Sequence, residues 1–134
     1  VDEPGSAAVD RFILGRDPVA TASIAYAELY SALTRKHRQG HVSGEKYALA
    51  CRQIEEEWQS YSAVELREDI LRSARDLIQH HAIRAADAIH LASALHFQAG
   101  VGQAVTFVAT DNRLLRAAAG EHLQTLNVEK APRP

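Results

Sequence analysis

The stretch 104–109 (AVTFVA) is a short apolar run set between two segments of helical periodicity, and this alternation constrains the fold more than any other feature of the chain. A run of that length, rich in β-branched residues and set between Gly100 and Asp111, reads as a buried strand. The same alternation recurs elsewhere. The order expected from periodicity and breakers is helix 6–14, strand 19–21, helix 24–39, helix 43–59, strand 62–66, helix 68–80, helix 83–99, strand 104–109, helix 112–119 and strand 124–128. Ser23 and Ser43 are suited to N-cap two of these helices, and Gly15, Gly40 and Gly100 to end three. Strands separated by helices imply an α/β fold with a central parallel sheet covered on both faces. In such sheets, ligand groups collect at the carboxyl ends of the strands.

At 134 residues the chain is expected to form one domain, large enough to bury a core without disulfides. Its single cysteine, Cys51, fits a reducing, cytoplasmic setting. No apolar run approaches the roughly 18 residues of a membrane span, and residues 1–10 lack the layout of a signal peptide. Formal charge is −2, so the overall balance does not announce a nucleic-acid binder. Arg35, Lys36, His37 and Arg38 form a local basic cluster, and Arg113 and Arg116 a second. The commoner meaning of such a run is a solvated helix end, where cations complement the dipole.

Three carboxylates stand out. Glu28 has Ile24, Ala25, Ser31 and Ala32 at helical spacing, with no basic residue among them, so its face is expected to be buried. Asp87 has Ile83, Arg84, His90 and Leu91 around it and Ala94 further along the same stripe, which also points it toward the core side. Asp111 follows the apolar run at a strand's exit. Each has a simpler reading: a tertiary salt bridge for Glu28, a pairing with Arg84 or His90 for Asp87, and an ordinary N-cap before NRLLRAA for Asp111. Unpaired buried carboxylates are costly, and together the three suggest a cation site. His37 and His41 straddle Gly40, while His80 and His81 would point apart on a helix, so zinc is not expected. No glycine-flanked nucleophilic serine and no phosphate-cradling glycine loop occurs. Oxygen donors alone suit Mg²⁺ or Mn²⁺, ions fitted to phosphodiester hydrolysis.

Four segments, DEPGS at 2–6, TASIAYAELYSAL at 21–33, RAADAIHLASAL at 84–95 and FVATDNRLL at 107–115, have the order and spacing of a known family. The chain resembles the PIN-domain ribonucleases, and among them the VapC-type toxins of bacterial type II toxin–antitoxin modules. The resemblance implies an α/β/α sandwich with a five-stranded parallel sheet and an acidic cluster holding Mg²⁺ or Mn²⁺. It implies that Glu28, Asp87 and Asp111 are the metal-binding catalytic acids. Asn112 is a polar helper beside them, and Arg84 orients Asp87 or meets a phosphate. The implied activity is RNA cleavage leaving a 5′-phosphate and a 3′-hydroxyl, in a homodimer restrained by a cognate antitoxin.

One departure stands out. The family's first acid, an Asp closing an opening strand, would lie upstream of Val1, and neither Asp2 nor Asp10 matches it. The natural protein is therefore expected to carry that preceding strand, and the given chain to be a single PIN domain lacking it. Two further functions stay open: a PIN-like RNA- or protein-binding module without catalysis, and a PIN nuclease of RNA processing without an antitoxin. The first helix and the helix of Glu28 are expected to offer a groove to an amphipathic antitoxin peptide, which could place an Arg among the acids.

Overall fold

The computed structural model describes residues 18–129. The expected helix at 6–14 lies outside them. Among the described residues the order is β1 (Ala20–Ala22), α1 (Ala25–Arg38), α2 (Gly44–Trp58), β2 (Ser62–Val64), α3 (Glu68–His80), α4 (Ala85–Val101), β3 (Thr106–Ala109), α5 (Asn112–Gly120) and β4 (Gln124–Asn127). The fold is α/β with parallel strands, as the alternation predicts.

The four strands form two parallel pairs. β1 lies beside β2 with Ala20 opposite Ser62 and Ala22 opposite Val64. β3 lies beside β4 with Thr106 opposite Gln124 and Ala109 opposite Asn127. Among the described residues no ladder joins the two pairs, so the five-stranded sheet implied by the resemblance is not seen as one continuous ladder. Parallel neighbours need a crossover. The α1–α2 hairpin supplies it for the first pair and α5 for the second.

The core sits around α4, whose sequence is apolar nearly all round because it is covered on several sides, by α3, β1 and α5. Ala88, Leu91 and Ala92 of α4 are buried with Ile70, Ala74 and Leu77 of α3, Phe107 of β3, and Leu114, Leu115, Ala117 and Ala118 of α5. The alanines matter as much as the leucines. Ala88 and Ala118 are fully buried, and small side chains there let the helix backbones approach. Among the described residues the one buried polar side chain, Ser93, is satisfied within its own helix: its hydroxyl donates to the Ile89 carbonyl at 2.7 Å.

Two helix ends depart from expectation. Gly100 is the expected close of α4, yet the helix continues through Val101, and Gly102 ends it in the left-handed conformation at φ 67°. The Gly102 amide donates to the Gln98 carbonyl, while the Gln98 side chain accepts from the Val105 amide at 2.9 Å. The turn into β3 therefore selects the second of two nearby glycines. Ser23 does not cap α1. Ile24 occupies the N-cap with helical backbone angles and no side-chain cap, and Ser23 uses its carbonyl to receive the Tyr26 amide at 3.2 Å. Ser43 does cap α2, its hydroxyl accepting from the Lys46 amide.

Candidate functional site

Glu28 lies in the first turn of α1, immediately after β1, where its charge suits the helix dipole. The expected burial of its face is not found, since no residue of α1 is buried and the Glu28 side chain is 46% exposed. Its partner comes from across the fold. His90 of α4 places Nε2 2.5 Å from Glu28 Oε1. The tertiary pairing left open by the sequence is thus realised with a histidine that helical spacing had offered to Asp87 instead. Two helices distant in the chain meet at this contact because β1, which leads into α1, packs on α4.

Asp87 stands in the first turn of α4, three residues before His90 and therefore one helical turn from the Glu28 contact. It is half-buried, short of the core position expected for it. Arg84, at the N-cap position of α4, has extended backbone and an exposed side chain. Among the described residues neither Arg84 nor His90 pairs with Asp87. The structure therefore joins Glu28 to His90, one turn along α4 from Asp87, and among the described residues leaves the Asp87 carboxylate without a protein cation.

Asp111 has its own local task. It occupies the N-cap of α5 with extended backbone, and its Oδ1 accepts from the Arg113 amide at 2.8 Å. The capping reading is therefore correct for this residue. Asn112 is held beside it by Asn127 of β4, whose side-chain amide donates to Asn112 Oδ1 at 3.0 Å and to the Thr110 carbonyl at 3.3 Å. Asn127 thus fastens the exits of β3 and β4 to the start of α5. Among the described residues no hydrogen bond or ion pair joins Asp111 to Glu28 or Asp87, and no three or more His, Cys, Asp or Glu residues are grouped so as to hold a metal ion.

The donor set nevertheless has the chemistry of a hard-cation site. Mg²⁺ keeps several waters and binds through one or two protein carboxylates, so a closed protein cage is not required of Glu28 and Asp87. His37, a metal candidate on spacing alone, is committed elsewhere. Its Nδ1 donates to the Val42 carbonyl at 2.9 Å and its ring stacks on Tyr47, with centroids 4.3 Å apart.

Sequence reasoning missed two participants, His90 as partner of Glu28 and Asn127 as partner of Asn112. Their contacts span 62 and 15 residues, beyond the reach of any helical or strand spacing.

Comparison with known proteins places this arrangement in a family. The chain is 34% identical over 117 residues to Ribonuclease VapC45 of Mycobacterium tuberculosis strain CDC 1551, a match covering 87% of the chain and 78% of that protein. Ribonuclease VapC49 of strain H37Rv of the same species matches with the same identity and coverage. Residues 1–120 match the family described as PIN domain. With an acid after β1, an acid at the head of α4 and an acid closing β3, set in an α/β fold of parallel strands, this chain belongs to the PIN-domain family and is related to the VapC ribonucleases.

Proposed function

We propose that this chain is a metal-dependent endoribonuclease of the type II toxin–antitoxin kind, which hydrolyses RNA phosphodiester bonds with Mg²⁺ or Mn²⁺. The observation that supports the reading is the contact of Glu28 of α1 with His90 of α4, since His90 stands one helical turn from Asp87. Both carboxylates are accessible enough to keep water in their shells, as a hydrated divalent ion requires.

A divalent cation supplies positive charge against the scissile phosphate and makes water a stronger nucleophile at neutral pH. The roles of the side chains follow from their places. Glu28 and Asp87 would hold the cation, and His90 fixes the Glu28 carboxylate through its Nε2 contact at 2.5 Å. Asp111 adds negative charge at the exit of β3 while capping α5, and Asn112, steadied by Asn127, offers a neutral polar group beside it. Arg84, exposed at the head of α4 and without an ion-pair partner among the described residues, is available to a phosphate oxygen. The partners of this reading are an RNA substrate, a cognate antitoxin that restrains the enzyme, and a second copy of the chain in a homodimer.

The test is cleavage of total cellular RNA by the purified chain with Mg²⁺ or Mn²⁺, beside Asp87→Asn and an EDTA control. Metal-dependent cleavage abolished in the variant is the expected result. Cleavage that survives both EDTA and Asp87→Asn would refute the assignment.

A second reading is supported by the engagement of Asp111 in capping α5. On that reading the chain is a PIN-like RNA- or protein-binding module without catalysis. RNA retention with no cleavage under any divalent ion would select it. Metal-dependent cleavage by a chain whose gene has no antitoxin neighbour would select a PIN nuclease of RNA processing.

A further inference from the structure

One face of α1 is not explained by packing. Ala27, Ser31, Thr34, Arg35 and Arg38 recur at helical spacing and, with Tyr30 and Gln39, form one open face along the helix. The face starts beside Glu28 and runs eleven residues to Arg38, about 16 Å along the helix axis. Its lining is two guanidinium groups, two hydroxyls, an amide and a tyrosine ring.

The two arginines differ in their partners from those of α3. Arg72 and Arg75 of α3 each take a neighbouring carboxylate, at 2.7 and 3.0 Å. Arg35 and Arg38 are exposed and have neither an ion pair nor a side-chain hydrogen bond among the described residues. They lie one turn apart on the same face, so an anion chain laid along the helix could meet both. Tyr30 is presented in a fixed pose. Its hydroxyl donates to the Glu55 carboxylate of α2 and its ring packs against Tyr26, with centroids 5.2 Å apart. A solvated helix end would account for the charges but not for an aromatic ring fixed beside them on a face that begins at Glu28.

We infer that this face of α1 is a track for single-stranded RNA, with phosphates on Arg35 and Arg38 and a base against Tyr30, leading the strand toward Glu28. The inference rests on the ribonuclease reading only for the choice of RNA as substrate. A basic groove carrying an aromatic platform is the general physical solution for holding a single strand without reading its sequence. An acidic protein segment would satisfy the guanidiniums and leave the ring idle.

The experiment is fluorescence anisotropy of a labelled oligouridine with the purified chain in EDTA, across a salt series. Arg35→Ala/Arg38→Ala should weaken binding at low salt by at least about tenfold and flatten the slope of log affinity against log salt by roughly 1.4, about 0.7 for each phosphate no longer neutralised. Arg35→Lys/Arg38→Lys keeps the charges and should keep the slope. Tyr30→Ala should weaken binding roughly fivefold or more, and Tyr30→Phe, which retains the ring, much less. Circular dichroism checks that each variant folds. Unchanged binding in the double alanine variant overturns the inference, as does displacement of RNA by polyglutamate in the wild type but not in that variant, which would assign the face to an acidic protein segment. Cleavage is scored separately with Mn²⁺. Arginine-dependent RNA binding by a chain that never cleaves would remove the nuclease reading and keep the track, whereas metal-dependent cleavage with arginine-independent binding would do the reverse.

Discussion

The block formed by α3, α4, β3 and α5 and the hairpin formed by α1 and α2 use helices of similar length but are held by different forces. In the block, eleven residues form, with Leu123 just after α5, a continuous buried cluster that includes Leu91 and Ile70, each almost without solvent exposure. In the hairpin no residue of either helix is buried, and the buried apolar side chain is Val42 in the connecting turn. What joins the two hairpin helices is directional. Tyr26 and Tyr30 both donate to Glu55, the Thr34 and Tyr47 hydroxyls meet at 2.7 Å, and Tyr26 packs on Trp58 with centroids 5.2 Å apart. Apolar burial tolerates pH and salt, whereas hydrogen bonds to a carboxylate do not. The part of the molecule that bears Glu28 and the arginine face is thus the part whose integrity depends on solution conditions.

The contrast is most exposed to failure at its leucines. Leu91→Ala in the block should cost about 2–5 kcal/mol in urea unfolding, the range for emptying a packed site. Leu29→Ala in the hairpin, at a position 43% exposed, should change stability by no more than about 0.5 kcal/mol. Equal losses at the two positions would mean that something covers Leu29 in solution and that the comparison is wrong.

A middle-sized effect tests whether Asp111 serves structure or chemistry. Asp111→Ala removes the N-cap of α5 and should cost about 0.5–2 kcal/mol, while Asp111→Asn keeps an equivalent cap and should cost little. Loss of RNA cleavage in the stable Asn variant would separate a chemical role from capping. Within the hairpin, Tyr47→Phe deletes the Thr34 partner and should cost about 0.5–1.5 kcal/mol.

The smallest effect is a local one, read through Trp58, the sole tryptophan of the chain. Hydrogen bonds from Tyr26 and then Tyr30 hold the Glu55 carboxyl below its ordinary 4.5, so this contribution is present above pH 4.5 and is lost as pH falls through the lowered value. On the alkaline side the same bond to Glu55, followed by desolvation, raises the Tyr30 hydroxyl above its ordinary 10.0. That contribution is present below pH 10.0 and is lost as pH rises through the raised value. Trp58 fluorescence should therefore shift in acid before far-ultraviolet circular dichroism reports unfolding, and Glu55→Gln should remove that early step. Coincident transitions by both probes in the wild type would show that hairpin and block unfold together.

Much of this was legible in the residue order. The apolar run at 104–109, the breakers and the helical stripes predicted every described element within a few residues, because hydrophobic period and backbone preference act locally. Glu28, Asp87 and Asp111 were singled out by their neighbours, and capping by Asp111 followed from the residues after it. Partnership was not legible. Tyr26 and Tyr30 lie 29 and 25 residues from Glu55, and His90 lies 62 from Glu28. Nor could spacing show that the Glu28 face would be open. A stripe of Ile24, Ala25, Ser31 and Ala32 states that a face is weakly apolar, and only the packing of α1 against α2 and of β1 against α4 decides what covers it.

By itself, then, the sequence determined the order and kind of elements, the positions of the three acids and the family, since each depends on residues close in the chain or on motifs in fixed order. The tertiary structure alone decided that Glu28 pairs with His90, that Gly102 rather than Gly100 closes α4, and that the other described residues leave the hairpin bearing Glu28 largely uncovered. Each of these is a competition between alternatives nearly equal in local free energy, and contacts made by distant segments break the tie.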